Sequence, residues 1–170
     1  MSISKKMEEA INAQINAELY SAYLYLAMSY QADYLKFPGV ANWLNIQYQE
    51  ELAHAIGFMT YLQNRGGCVQ LRAIDAPPKS WADVAAMFQM TCEHEASVTA
   101  LINKLAALAV EEKDFAASQF LNWYVREQVE EESTADKILT ELKRAMKSSE
   151  AMLILDRELG TRTFVAPVIA

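Results

Sequence analysis

The sequence predicts an all-α protein: an antiparallel bundle of four long helices followed by a short fifth helix. Residues that break helices are scarce, with five glycines and four prolines among 170 residues, and none of either between Trp81 and Leu159. Apolar residues also recur at spacings of three and four, which is the period of a helix with one buried face. A sheet protein of this length would need more frequent turn residues.

The first two helices are predicted over residues 5–33 and 40–65, on either side of a turn at Pro38-Gly39. Gly66-Gly67 ends the second helix. Because their link is short, these helices should be antiparallel neighbours, whereas the longer connection over residues 68–79 could cross the length of the bundle.

Ser80 is the predicted N-cap of the third helix, with Asp83 three residues later as in a capping box. The polar run over residues 111–114 should divide the following stretch into two helices of about 30 residues each, roughly 40 Å long. Residues 148–150 then begin the fifth helix, which ends at Gly160. We assign residues 1–160 to the bundle and its fifth helix.

The remaining residues, 161–170, form a C-terminal tail whose last seven positions carry no charge. One interpretation is a disordered terminus. The other is a segment that packs against neighbouring subunits, because an uncharged apolar segment exposed on a surface often marks an interaction site.

Composition excludes several classes of protein. A net charge of -7 disfavours nucleic acid as a partner, since phosphate binding needs clustered Lys and Arg. No apolar run approaches the roughly 18 residues of a membrane span, and we expect no membrane association. The chain has only two cysteines, Cys68 and Cys92, and no signal-peptide pattern, which favours a reducing, cytoplasmic location.

Acidic residues interrupt the predicted apolar stripe of every long helix. They are Glu18 in the first helix, Glu51 in the second, Glu95 in the third, and Glu127 and Glu131 in the fourth. An unpaired buried carboxylate costs several kcal/mol, so five would cost about as much as the 5–15 kcal/mol that stabilises a domain. The stripes carry no Lys or Arg near these positions, so either a bound cation compensates the charges or several carboxyls stay protonated.

The spacing favours a metal. Glu51 and His54 form an E-x-x-H pair that lies on one face of the helix, and glutamates from the other helices complete the known pattern of di-iron carboxylate bundles. Oxygen ligands with one imidazole and no thiolate suit iron or manganese and can also bind zinc. His94 lies about 100° around the helix from Glu95 and should point away from the core, and Cys92 is expected to be a packing residue.

The chain resembles the prokaryotic non-haem ferritins over about residues 5–160. The matching segments are Asn-Ala-Glu-Leu-Tyr-Ser at 16–21, Gln-Glu-Glu-Leu-Ala-His at 49–54, Glu-His-Glu at 93–95 and Trp-Tyr-Val-Arg-Glu-Gln-Val-Glu-Glu-Glu at 123–132. The resemblance implies that Glu18, Glu51 and His54 bind a first iron. It also implies that Glu51 bridges to a second iron, which Glu95 and Glu131 bind.

Further roles follow from the same resemblance. Gln128 would lie beside the second iron, and Tyr25 would be the tyrosine next to the pair. A third iron would use Glu50, Glu127 and Glu130 together with Glu131, and Trp123 would be a second electron donor.

Two positions separate the chain from bacterioferritins. Leu52 stands where the haem-binding methionine would be, so no haem is expected, and Thr134 stands where a second E-x-x-H would have its histidine.

The resemblance implies an iron-storage protein that oxidises Fe²⁺ with dioxygen or hydrogen peroxide and holds the ferric product in a hollow homo-oligomer of 24 subunits. Two alternatives stay open at this point: a di-iron oxidase or oxygenase with an organic substrate, and a helical bundle that buffers metal without catalysis.

Overall fold

The protein is described by a computed structural model that covers residues 3–169, and this range contains five helices and no strand. The helices are α1 (Lys5–Tyr34), α2 (Pro38–Asn64), α3 (Val84–Glu111), α4 (Phe115–Ala145) and α5 (Ser149–Leu159). The predicted all-α four-helix bundle with a short fifth helix is confirmed.

Two tight turns build the bundle from two helical hairpins. α1 packs along α2, and α3 packs along α4. Lys36 and Lys113, in the turns that follow α1 and α3, have left-handed backbones with φ values of 68° and 55°. Arg65, at the end of α2, pairs with both carboxylate oxygens of Asp114 at 3.0 and 2.8 Å and so ties the two hairpins together.

The start of the third helix differs from the prediction. Asp83, not Ser80, is the N-cap, because its side chain accepts the backbone N–H of Ala86 at 2.8 Å. Trp81 stays outside the helix because Gln31 bonds both its backbone N–H and its carbonyl, at 3.1 and 2.8 Å.

The connection between α2 and α3 crosses the length of the bundle along α1. At its beginning, the Asn12 side chain bonds the Cys68 carbonyl and the Gln70 N–H, at 2.9 and 2.7 Å. At its end, Gln31 holds Trp81. The two anchors on α1 are about 28 Å apart at 1.5 Å per residue.

The buried interior consists of two apolar clusters at opposite ends of the bundle. One includes Met28, Phe88 and Leu142, and the other includes Ile11 and Phe58. Between them lies a buried polar band, formed by Glu18, Gln47, Glu51, His54, Glu95, Gln128 and Glu131. The carboxylates therefore lie midway along the bundle, where an apolar cluster on each side separates them from solvent at the helix ends.

The buried face of α4 is rotated slightly from the predicted stripe. Spacings of three and four predict a buried stripe through Tyr124, Glu127, Glu131 and Thr134. Tyr124 and Glu131 are buried, but Glu127 is only half-buried and Thr134 is exposed. Gln128 is buried instead. The predicted and the observed buried stripes of α4 share Tyr124 and Glu131, so residue spacing alone did not decide between them.

α5 closes one end of the bundle against α2 and α4. Its Asp156 side chain accepts the Val40 N–H at 2.9 Å and so caps the first turn of α2. Within the tail, Ile169 lies beside Gly57 of α2 and Tyr124 of α4. In the described part of the chain, no helix is both long and apolar enough to cross a membrane.

Candidate metal centre

Glu18, Glu51 and His54 bring their side chains to one point inside the bundle. One donor atom from each lies within 4.8 Å of the others, and all three residues are buried. His54 Nδ1 is 3.3 Å from Glu51 Oε2, as the i, i+3 spacing on α2 requires. Gln14, one turn earlier on α1, donates to Glu18 Oε1 at 2.8 Å and fixes that carboxylate.

Glu95 and Glu131 face this group from α3 and α4. Tyr25 donates its hydroxyl to Glu95 Oε1, and Gln128 donates to Glu95 Oε2 at 3.1 Å. Gln47 donates to Glu131 Oε2 at 2.7 Å. Each carboxylate is therefore oriented by neutral donors, which hold its position without cancelling its charge.

The electrostatics of the centre favour a bound cation. Burial, followed by the neighbouring carboxylate of Glu51, raises the pKa of Glu18 well above its ordinary value. Burial, followed by Glu95 and Glu131, does the same to the pKa of Glu51. The pKa of Glu131 is raised to about 8 by burial and then by Glu95. The raised pKa values favour the protonated carboxyls when no cation is bound, and a metal would displace those protons.

The donor set fits a first-row divalent metal. It consists of carboxylate oxygens and one imidazole, a combination that suits iron or manganese and also binds zinc. Among residues 3–169, no Lys or Arg forms an ion pair with Glu18, Glu51, Glu95 or Glu131. The compensating charge must come from protons or from a metal.

Aromatic rings line the centre beside His54. The Trp123 and Tyr124 rings stand edge-on to the imidazole, with centroids 5.4 and 5.9 Å away. The Tyr124 hydroxyl donates to the His54 backbone carbonyl at 2.9 Å. These contacts fix the α2 backbone at the histidine and place Trp123 next to the candidate metal ligand.

The three residues of the expected third site are more exposed than this centre. Glu50 is half-buried and pairs with Arg162 at 2.5 Å. Glu127 is half-buried, and Glu130 is exposed. Glu127 was predicted to lie on the buried stripe of the fourth helix with the other carboxylates. It does not, because the rotation of α4 turns its side chain toward the edge of the bundle.

The family model for the Ferritin-like domain matches residues 8–145. The chain belongs to the ferritin family. This ferritin is 41% identical to a bacterial non-heme ferritin of Bacteroides fragilis, over 94% of this chain and 99% of the relative. It is 35% identical to a bacterial non-heme ferritin of Staphylococcus aureus, over 95% of this chain and 98% of that one.

Solved ferritin structures superpose closely on this ferritin. An Archaeoglobus fulgidus ferritin engineered into a closed form is 48% identical, with a TM-score of 0.94 over 96% of this chain and all of that one. The open-pore ferritin of the same archaeon is 47% identical, with a TM-score of 0.93 over 95% of this chain and 98% of that one.

His94 of this ferritin was expected to point away from the core, but it is only partly exposed. It is half-buried against α1, where its Nε2 lies 2.7 Å from the Ser21 hydroxyl and its ring meets the edge of Tyr25. Desolvation lowers the pKa of His94 to about 4, so the ring is neutral at pH 7. It supports the tyrosine from outside the carboxylate cluster. Cys92 is half-buried, which is compatible with packing.

No role was predicted from the sequence for three residues that lie around the site of this ferritin. Gln14 precedes Glu18 by four residues, and that spacing on one helix face was a usable signal. Gln47 lies one turn before Glu51 on the predicted buried stripe of the second helix. Its burial was therefore predicted, but its bond to a carboxylate was not. Arg162 had no local signal, because it reaches α2 from beyond the fifth helix.

Proposed function

We propose that this ferritin oxidises Fe²⁺ at a di-iron centre within each subunit and stores the ferric product inside a hollow homo-oligomer in the cytoplasm. The observation that carries the proposal is the buried cluster of Glu18, Glu51 and His54, faced by Glu95 and Glu131. Such a concentration of uncompensated carboxylates is costly to fold unless it binds a cation.

Fe²⁺ is the substrate of this reaction, and the chain would bind two ions of it. Glu18, Glu51 and His54 take the first, and Glu51 bridges to the second. Glu95 and Glu131 complete the second position. A shared carboxylate holds the two ions close enough to give one electron each to a single oxidant, dioxygen or hydrogen peroxide.

The surrounding residues position the ligands and exclude water. Tyr25 and Gln128 hold the two oxygens of Glu95. Anionic oxygen ligands favour the harder Fe³⁺ over Fe²⁺, which helps to drive oxidation. The two electrons of the pair, with two protons from solvent, convert dioxygen to hydrogen peroxide or hydrogen peroxide to two waters, so this step needs no electron from Trp123, which lies beside His54.

A third iron would bind at Glu50, Glu127 and Glu130, together with Glu131. The side chains of Glu50, Glu127 and Glu130 lie toward the edge of the bundle and are more accessible than the central cluster, to which Glu131 belongs. That arrangement supports a role for the third site in passing iron from the di-iron centre to the ferric product stored inside the oligomer. Similarity to the Archaeoglobus fulgidus ferritins over nearly the whole chain supports a homo-oligomer, for which we propose 24 subunits.

The deciding experiment mixes metal-free protein with two Fe²⁺ per subunit without air and then admits oxygen. We expect rapid ferric absorbance, oxygen consumption and, with more iron, electron-dense particles of uniform size. Binding without oxygen consumption would indicate a metal buffer. Turnover of an organic substrate without retention of ferric iron would indicate an oxidase.

Glu51→Ala provides the matched variant, because Glu51 is the one residue proposed to contact both ions. It should abolish the fast oxidation while leaving the bundle as stable or more stable, since a buried carboxyl is removed. Glu132→Ala, which changes an exposed neighbour of Glu131, is the control. A wild-type initial rate in Glu51→Ala would refute the di-iron assignment.

A further inference from the structure

Arg162 lies just beyond α5, yet its side chain reaches into the middle of α2. Its Nη1 donates to Gln47 Oε1 at 2.7 Å, and its Nη2 donates to Glu50 Oε2 at 2.5 Å. The guanidinium carbon is 4.6 Å from the centre of the Trp43 ring. Asn42 donates to the Arg162 backbone carbonyl at 3.0 Å. The arginine is therefore held in one position by several contacts.

Gln47 connects this arginine to the metal centre. Gln47 is fully buried, and both ends of its side-chain amide form hydrogen bonds. Its Oε1 accepts from Arg162, and its Nε2 donates to Glu131 Oε2 at 2.7 Å. A guanidinium has donors and no acceptor, so only the carbonyl end of the amide can face it. The amino end is then directed at Glu131. Arg162 thereby sets which way the Gln47 amide points.

We propose that Arg162 is a positioning residue for the second metal position, acting through Gln47 on the Glu131 carboxylate. The inference rests on the proposed function in one respect, that Glu131 binds the second metal. Partners that orient a ligand in this way commonly change metal affinity 10- to 100-fold when they are lost.

The same side chain has the opposite effect on the third site. Because Nη2 holds Glu50 Oε2, Glu50 can serve a third metal only through its other oxygen or after Arg162 has moved away. The positive charge next to Glu50 also disfavours a cation there. Arg162 should therefore strengthen the second position and weaken the third.

This pair of opposite effects gives the test. Co²⁺ titrations of the full-length metal-free protein, followed by visible absorption and calorimetry, measure each affinity without any oxidation. In Arg162→Met we expect the second Co²⁺ to bind roughly tenfold more weakly and the third to bind more tightly. Arg162→Lys, which keeps the charge but replaces the two donor nitrogens with a single ammonium group, should fall between that variant and the wild type. Arg157→Met, on the exposed side of α5, should behave as wild type.

A double-mutant cycle tests the route through Gln47. Gln47→Met should weaken the second position by itself, and adding Arg162→Met should then cause no further loss there. Full additivity, or equal weakening of every metal position, would overturn the proposal. The second result would mean that Arg162 only supports the fold.

Failure of the proposed function would look different. A wild-type protein that binds two Co²⁺ but does not oxidise Fe²⁺ contradicts the ferroxidase proposal and leaves the role of Arg162 intact. Crystal structures of the metal-free proteins provide a readout that depends on neither metal nor activity. Arg162→Met should lose the contact between Gln47 and Glu131 Oε2, and its retention would refute the positioning role.

Discussion

The Tyr25 hydroxyl on α1 donates a hydrogen bond to Glu95 Oε1 on α3, at the centre of the bundle. The bond joins the two helical hairpins at the level where the carboxylates converge. Burial, followed by the charge of Glu95, raises the pKa of Tyr25, so the phenol keeps its proton and stays a donor. Its ring is backed by His94, which is itself held by Ser21.

Tyr25→Phe should slow the first oxidation while the number of bound metals stays the same. The change removes one of two side-chain donors to Glu95 and keeps the ring and its packing. We expect a decrease of about tenfold, within the range found when partners of metal ligands are lost. Stopped-flow absorbance after mixing with oxygen measures the rate. Tyr23→Phe, which alters an exposed tyrosine on the same helix, is the control. A normal rate in Tyr25→Phe would mean that the bond is only structural.

Metal binding should release protons, because the folded metal-free centre retains them. The pKa of Glu131 is about 8 as a result of burial and the nearby Glu95, so at pH 7 this carboxyl is largely protonated before a metal arrives. Calorimetry with Zn²⁺ in two buffers of different ionisation enthalpy should show net release of about one proton or more. Zn²⁺ affinity should increase with pH up to about 8. Glu131→Gln should reduce the release, and the same release in both proteins would contradict this assignment.

The same groups give the stability of the metal-free protein a pH dependence. A carboxyl whose folded pKa is raised contributes stability at low pH, and that stability is lost as pH rises through the folded pKa. For Glu131 the window runs from its ordinary pKa of 4.5 to about 8. The apparent Tm of the wild type should therefore fall more steeply across this window than that of Glu131→Gln. Equal slopes would show that Glu131 titrates normally.

Gly39→Ala should detach α5 from the start of α2. A Cβ at this position would lie 1.5 Å from the Asp156 backbone oxygen, so one of the helices must move. The movement would also break the bond from the Val40 N–H to Asp156. Overpacking of this kind costs about 1–3 kcal/mol, and loss of the cap adds about 1 kcal/mol.

Thermal unfolding of the assembled protein measures the effect of Gly39→Ala. Ser149→Ala, at an exposed position in the first turn of α5, serves as the control and should change the apparent Tm far less. An unchanged Tm in Gly39→Ala would mean that α5 contributes little to stability at this contact.

Much of the fold could be predicted from the sequence, because apolar periodicity and helix-breaking residues act on nearby positions in the chain. Pro38 and Gly39 were predicted as the turn between the first two helices, but they begin α2, because proline is favoured in the first turn of a helix, and the turn lies at residues 35–37. The break near residues 111–114 was predicted where the structure has it. The start of α3 was not, because a contact with Gln31, distant in sequence, holds Trp81 out of the helix. The phase of α4 also escaped prediction, since two overlapping stripes satisfy the same spacing and only packing chooses between them.

The sequence by itself determined the helical hairpins and the acidic positions Glu18, Glu51, Glu95 and Glu131, because periodicity within one helix assigns a residue to its buried face. Only the tertiary structure decided which donor holds which carboxylate oxygen, as Gln47 does for Glu131. It also brought Arg162 to α2 from beyond the fifth helix. Such contacts join residues far apart in the chain, and their geometry depends on how whole helices pack, which no local spacing encodes.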